Sequence, residues 1–195
     1  MSRSREQINR YLSDINIDGK IVLDVGVQDN PAYKYCRGTA KKYFTTDIDE
    51  EWKPDIIGDL NGNINYWINH RKDVEMYHDI VFCLEVLEHC WNPIRALENL
   101  SRLTRKGGVC YISVPFINPI HDKWDYLRYT PEWFEKVLPM AGFKKWDIAL
   151  RSATIGRDDL MKFYQAEGLR MSKIRQKMGD GDKRDLIGLF IKAEK

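Results

Sequence analysis

Short apolar runs alternate with segments of helical spacing along the chain. Ile8, Tyr11, Leu12 and Ile15 recur on one helical face, which predicts an amphipathic helix over residues 5–17 ended by Asp18-Gly19. Lys20 to Val25 (KIVLDV) is a continuous apolar run, as in a strand buried on both faces. Residues 31–38 read as a short helix or turn over its end, and Lys42 to Thr46 (KYFTT), aromatic and β-branched, as a second strand. Pro54 to Ile57 reads as a short third strand, residues 63–72 as a helix, and His78 to Leu84 (HDIVFCL) as a fourth strand. Pro93 to Thr104 has Ile94, Leu97, Leu100 and Leu103 on one face and Pro93 in its first turn, where a missing N–H does no harm. Lys106-Gly107-Gly108 is expected to end that helix. Val109 to Val114, residues 144–151 and residues 186–193 (LIGLFIKA) read as further strands, with helices over 131–141 and 158–178.

Strands alternating with helices imply a parallel sheet covered on both faces. Ligands of such sheets bind beyond the carboxyl ends of the strands, near the point where strand order reverses. The informative residues fall at those ends: Asp24 and Gly26, Asp47, Asp59, Glu85, and Pro115-Phe116.

A length of 195 residues suits a single domain spanning 1–195, and 43% hydrophobic residues can fill its core. No run reaches the roughly 20 apolar residues that cross a bilayer. No apolar stretch follows the basic start of the chain, so a soluble cytoplasmic protein without a secretory leader or membrane contact is expected. The formal charge of +2 gives no general attraction to nucleic acid, though it does not exclude it. Cys36, Cys83, Cys90 and Cys110 form no C-x-x-C pair and read as reduced thiols. His89, Cys90 and Cys83 match no usual zinc spacing, and no metal is expected.

Gly26, just past a buried strand, lets the backbone approach a ligand closely. Asp47 lies about twenty residues after that turn, where a carboxylate accepts bonds from both ribose hydroxyls; Asp49 is the alternative if the strand ends later. Asp59 at the third strand's end can accept an adenine amino group, with the Leu60 N–H serving a ring nitrogen. A nicotinamide-dependent oxidoreductase would share Asp47, but no G-x-G-x-x-G follows the first strand.

Residues 79–92, D-I-V-F-C-L-E-V-L-E-H-C-W-N, lead into P-I-R-A-L-E-N-L, then Lys106-Gly107-Gly108, S-V-P-F, and the H-D-x-x-D-Y-x-R-Y-T run of His121 to Thr130. This series resembles the class I S-adenosylmethionine-dependent methyltransferases, in the group with an E-x-L-E-H segment after the fourth strand. The resemblance covers roughly residues 20–145. It implies a Rossmann-like, doubly wound, mostly parallel seven-stranded sheet whose last strand is antiparallel. It further implies S-adenosylmethionine as cofactor, with Asp24 and Gly26 at its methionine end, Asp47 at the ribose, Asp59 and Leu60 at the adenine, and Leu84 and Glu85 near the sulfonium.

The family's first loop usually reads D-x-G-x-G-x-G. Here Gln28 and Asn30 stand at the second and third glycines, so the loop is expected to take another path or bind less tightly. A non-catalytic binding protein is the alternative this suggests. The acceptor reads as a small molecule methylated on oxygen or nitrogen. His121 is the candidate acid–base residue, with His89, Tyr126 and Arg128 as candidate substrate contacts. Arg128 could clamp an anion, or pair with Asp125 or Glu132. The 158–178 segment could be a lid, a dimer contact or a solvated basic face, leaving a monomer or homodimer open.

Overall fold

The computed structural model describes residues 3–28, 30–64, 67, 77–117, 123–153 and 185–195. His121, the 158–178 segment and most of the helix expected at 63–72 lie outside these residues. β1 (Ile21–Val25) pairs parallel with β2 (Lys42–Asp47) on one side and β4 (His78–Leu84) on the other. β2 pairs parallel with β3 (Ile56–Ile57), and β4 with β5 (Thr104–Pro115). β7 (Asp185–Glu194) runs antiparallel between β5 and β6 (Lys145–Ala153). The single seven-stranded sheet has the order β3-β2-β1-β4-β5-β7-β6.

Strand alternation sorts side chains into two cores. Leu23 and Val25 of β1, Val81 and Cys83 of β4, and Cys110, Ile112 and Val114 of β5 point to one face. There they meet Leu97 and Leu100 of α2 (Pro93–Leu103) and Phe134 and Leu138 of α3 (Pro131–Ala141). Val22, Ile80 and Phe82 point the other way, against Ile8 and Leu12 of α1 (Arg3–Leu12). Burying each such side chain contributes about 1.5–3 kcal/mol, so a one-residue slip in register would exchange the two cores at large cost. Two helix starts are capped as their sequences suggest. The Asn92 side chain accepts the Arg95 N–H at 3.2 Å, and Thr130 Oγ1 accepts that of Trp133 at 3.4 Å.

The ends of α1 and α2, among other boundaries, differ from the sequence reading. α1 stops at Leu12, not residue 17. The Ser13 hydroxyl donates to the Arg10 carbonyl at 2.6 Å, and the following segment exchanges backbone bonds with Arg37, which still buries Ile15 and Ile17. α2 ends at Leu103, before Lys106-Gly107-Gly108. β-branched Thr104 is already extended and pairs with His78. Gly107, at φ +72°, takes up an irregularity inside β5.

One glycine is fixed by its neighbours. Arg151 of β6 is buried and crosses Gly188 of β7 to donate to the Val114 carbonyl at 2.8 Å and to Glu85 at 2.9 Å. A Cβ on Gly188 would lie 2.2 Å from Arg151 Nη2 and 2.5 Å from the Val114 carbonyl oxygen. The backbone contact cannot be relieved by rotating a side chain. Gly188→Ala is expected to destabilise the fold by about 1–3 kcal/mol, read as a lowered urea midpoint. An unchanged midpoint would refute this packing.

Candidate active site

A cleft of about 540 Å³ opens at the carboxyl ends of β1, β2 and β4, within the roughly 300–1,000 Å³ usual for ligand pockets. Asp24, Gly26, Asp47, Asp59, Leu84 and Glu85 all line it. Leu60 does not; it packs in the core, and its carbonyl accepts the Asn99 amide at 2.8 Å.

Asp24 is 3% exposed. Its Oδ2 accepts the Ala32 N–H at 2.7 Å and the Tyr43 hydroxyl at 2.5 Å, which ties the loop after β1 to that strand and to β2. Burial pushes its carboxyl up to about 6 despite both bonds. The same contact and burial push the Tyr43 hydroxyl up. Gly26 sits at φ +70° and donates to the Thr46 carbonyl at 2.8 Å. A Cβ there would meet Val86 Cγ2 at 2.4 Å, so no side chain fits. Gln28, where the family's second glycine falls, adopts φ +46° all the same. Asn30 instead accepts the Tyr35 hydroxyl at 3.0 Å.

Asp47 Oδ1 accepts the Asp49 N–H at 3.0 Å. Asp59 Oδ1 accepts both the backbone and side-chain N–H of Asn61 at 2.8 Å. Asp49 itself caps the short turn beginning at Glu50. Glu85, at φ +57°, accepts the Ser113 hydroxyl at 2.8 Å and the Arg151 guanidinium at 2.9 Å, which aims it across the sheet ends.

Beyond Glu85, the chain forms a tight turn over Leu87–His89. The backbone carbonyl of Glu88 accepts the Tyr126 N–H at 2.8 Å, and His89 Nδ1–H donates to the Trp124 carbonyl at 3.2 Å. These bonds dock the 123–129 segment on the cleft rim. His89, Trp91, Trp124 and Tyr126 line the cleft there, and the three aromatic side chains are exposed. Arg128 forks onto both oxygens of Asp125, and it is not among the lining residues. Of the roles open for it, the pair with Asp125 is the one formed.

A profile of the methyltransferase domain family matches residues 2–170. The chain belongs to that family. As a methyltransferase it carries the fold of known S-adenosylmethionine-dependent enzymes. A methyltransferase from Archaeoglobus fulgidus is 16% identical, with a TM-score of 0.59, covering 99% of this chain and 91% of its own. One from Mesorhizobium loti is 12% identical, with a TM-score of 0.59 and coverage of 100% and 99%. The cyclase SpnF is 15% identical, with a TM-score of 0.62 and coverage of 97% and 81%. At such identities the likeness is one of fold. The family match, not the fold, decides against the nicotinamide alternative.

Sequence reasoning passed over three polar residues that stand behind the lining of the methyltransferase's cleft. Tyr43 gave no signal beyond its strand pattern. Arg151 lies in a strand whose partner has a lone glycine at 188, a mark of close backbone approach that could have pointed to it. Glu88 is fully buried, and neither carboxyl oxygen has a hydrogen-bond partner among the described residues. Burial and the nearby Glu85 push its carboxyl up.

The Asp24 carboxyl yields a pH prediction. Its folded value of about 6 exceeds the ordinary 3.8, so the native state holds the extra proton between them. Its contribution is most favourable below 3.8 and falls by about 3 kcal/mol as pH rises through 6. Asp24→Asn keeps an acceptor for Ala32 and Tyr43 without the charge. Its melting temperature relative to the parent is expected to climb between pH 4 and pH 6.5 and then level off. A constant difference across that range would show that Asp24 is not strained by burial.

Proposed function

We propose that the cleft holds S-adenosylmethionine and that this methyltransferase passes the methyl group to an oxygen or nitrogen atom of a small molecule. The observation that carries the reading is the convergence of Asp24, Asp47, Asp59 and Glu85, from the ends of neighbouring strands, on one cleft. The glycine turn at its floor admits no Cβ.

In this reading Asp24 and Gly26 meet the methionine end. Asp47, whose Oδ2 takes no bond among the described residues, accepts from the ribose hydroxyls. Asp59 receives the adenine amino group. Leu84 and Glu85 border the sulfur. When bound, the cofactor supplies a methyl group activated by the positive charge on sulfur.

The protein's part is alignment and exclusion of water, an effect that can supply up to roughly 7–11 kcal/mol. His89, Trp91, Trp124 and Tyr126 form the rim over which an acceptor would approach. In this reading His89, oriented by its Nδ1–H on the Trp124 carbonyl and with Nε2 3.8 Å from Glu88 Oε1, is a rim residue able to take a proton leaving the acceptor. His121 is the other histidine suited to that role. A base of either kind matters only for acceptors that lose a proton.

Calorimetry with S-adenosylhomocysteine tests the cofactor site. The parent protein is expected to bind it and not NAD, and Asp47→Ala to weaken binding by about 10- to 100-fold. Absence of binding by the parent, or binding of NAD in its place, would overturn the reading.

A further inference from the structure

We propose that Arg5, on the first turn of the N-terminal helix, is the residue that holds the carboxylate of the cofactor's methionine tail. The inference rests on the cofactor reading given above and extends it to an element outside the strand ends.

α1 is fixed to the sheet from below. Ile8 and Leu12 are each 1% exposed and pack on Val22, Ile80 and Phe82, while Tyr11 stacks on Phe190. Arg5 lies one turn before Ile8, so the anchored face of the helix carries it to the cleft wall. There it lies close enough to Asp24 to favour that residue's charged form.

Charge makes Arg5 distinctive. The other ionisable side chains of the described lining are four carboxylates, Asp24, Asp47, Asp59 and Glu85, the imidazole of His89 and the phenol of Tyr126. Arg5 is the only Lys or Arg among them. A methionine tail carries one ammonium and one carboxylate. The ammonium suits Asp24, but the carboxylate would face repulsion from every acidic wall of the cleft. Only Arg5 offers it a cation, and a guanidinium can engage both carboxylate oxygens with paired N–H donors.

The test compares S-adenosylmethionine with its decarboxylated form, which keeps the adenosine, sulfonium and amine. Binding of each is measured by calorimetry to the parent, Arg5→Ala and Arg5→Lys. Arg5→Ala is expected to weaken S-adenosylmethionine by about 10- to 100-fold while changing the decarboxylated form by less than about threefold. Arg5→Lys should retain part of the affinity. Circular dichroism checks that α1 persists in each variant. Equal losses for both ligands would make Arg5 a general support of the loop, and no loss for either would remove it from the site; each overturns the proposal. A parent protein that binds neither ligand would instead refute the cofactor reading itself.

Discussion

The buried carboxylate of Asp24 is the constraint on which the cleft depends. It sits at the end of β1, an interior strand of the sheet, in contact with little water, and it is held by one backbone N–H from the following loop and one hydroxyl from the next strand. Burial of an acid is costly, and its raised proton affinity records that cost. The fold tolerates it because the same two bonds fold the loop back over β1 and bring Gly26 under Val86. A site that needs a charge at a strand end must carry it in a position where a neutral side chain would be more stable.

A second tie runs across the opposite half of the sheet. The antiparallel pair of β6 and β7 could pack on β5 through apolar contacts alone. Arg151 adds a directional link, passing over Gly188 to reach Val114 and Glu85. Glu85 therefore answers to two elements far apart in sequence, Ser113 and Arg151, while its own backbone is held at positive φ. Buried ion pairs add little net stability against apolar replacements, yet breaking one partner is expensive. Such a link serves geometry more than stability, and here the geometry is the angle at which a carboxylate meets the cleft.

The sheet was legible because its strands are short apolar runs buried on two faces, and their ends carry acids at positions where a core would reject them. Asp24, Asp47, Asp59 and Glu85 stood out for that reason, and all four line the cleft. Boundaries were less legible where tertiary pairing overrides local propensity. Thr104 leaves its helix early because His78 offers it a strand partner, and the 13–17 segment leaves its helix because Arg37 does the same. Residues that act through long-range contacts left almost no local trace. Nothing near Arg151 in sequence announces Glu85, and nothing near Arg5 announces the cleft. Arg128 illustrates the converse: its spacing allowed a pair with Asp125 or with Glu132, and the fold shows the one with Asp125.

The missing glycines of the first loop weigh less than the motif suggests. Gln28 adopts the left-handed region that a glycine would take there, at a cost of about 1–2 kcal/mol for a residue with a Cβ. Glycine would remove that strain but add about 0.4–1 kcal/mol of unfolded-state freedom to be lost on folding. The second offsets about half of the first. What sets the loop's path is therefore not glycine content but the ties at its ends: Gly26 to Thr46, and Ala32 to Asp24. With both ends fixed and one glycine where Val86 leaves no room, a side chain at residue 28 is tolerated. The cleft keeps its floor although the sequence departs from the pattern that usually builds it.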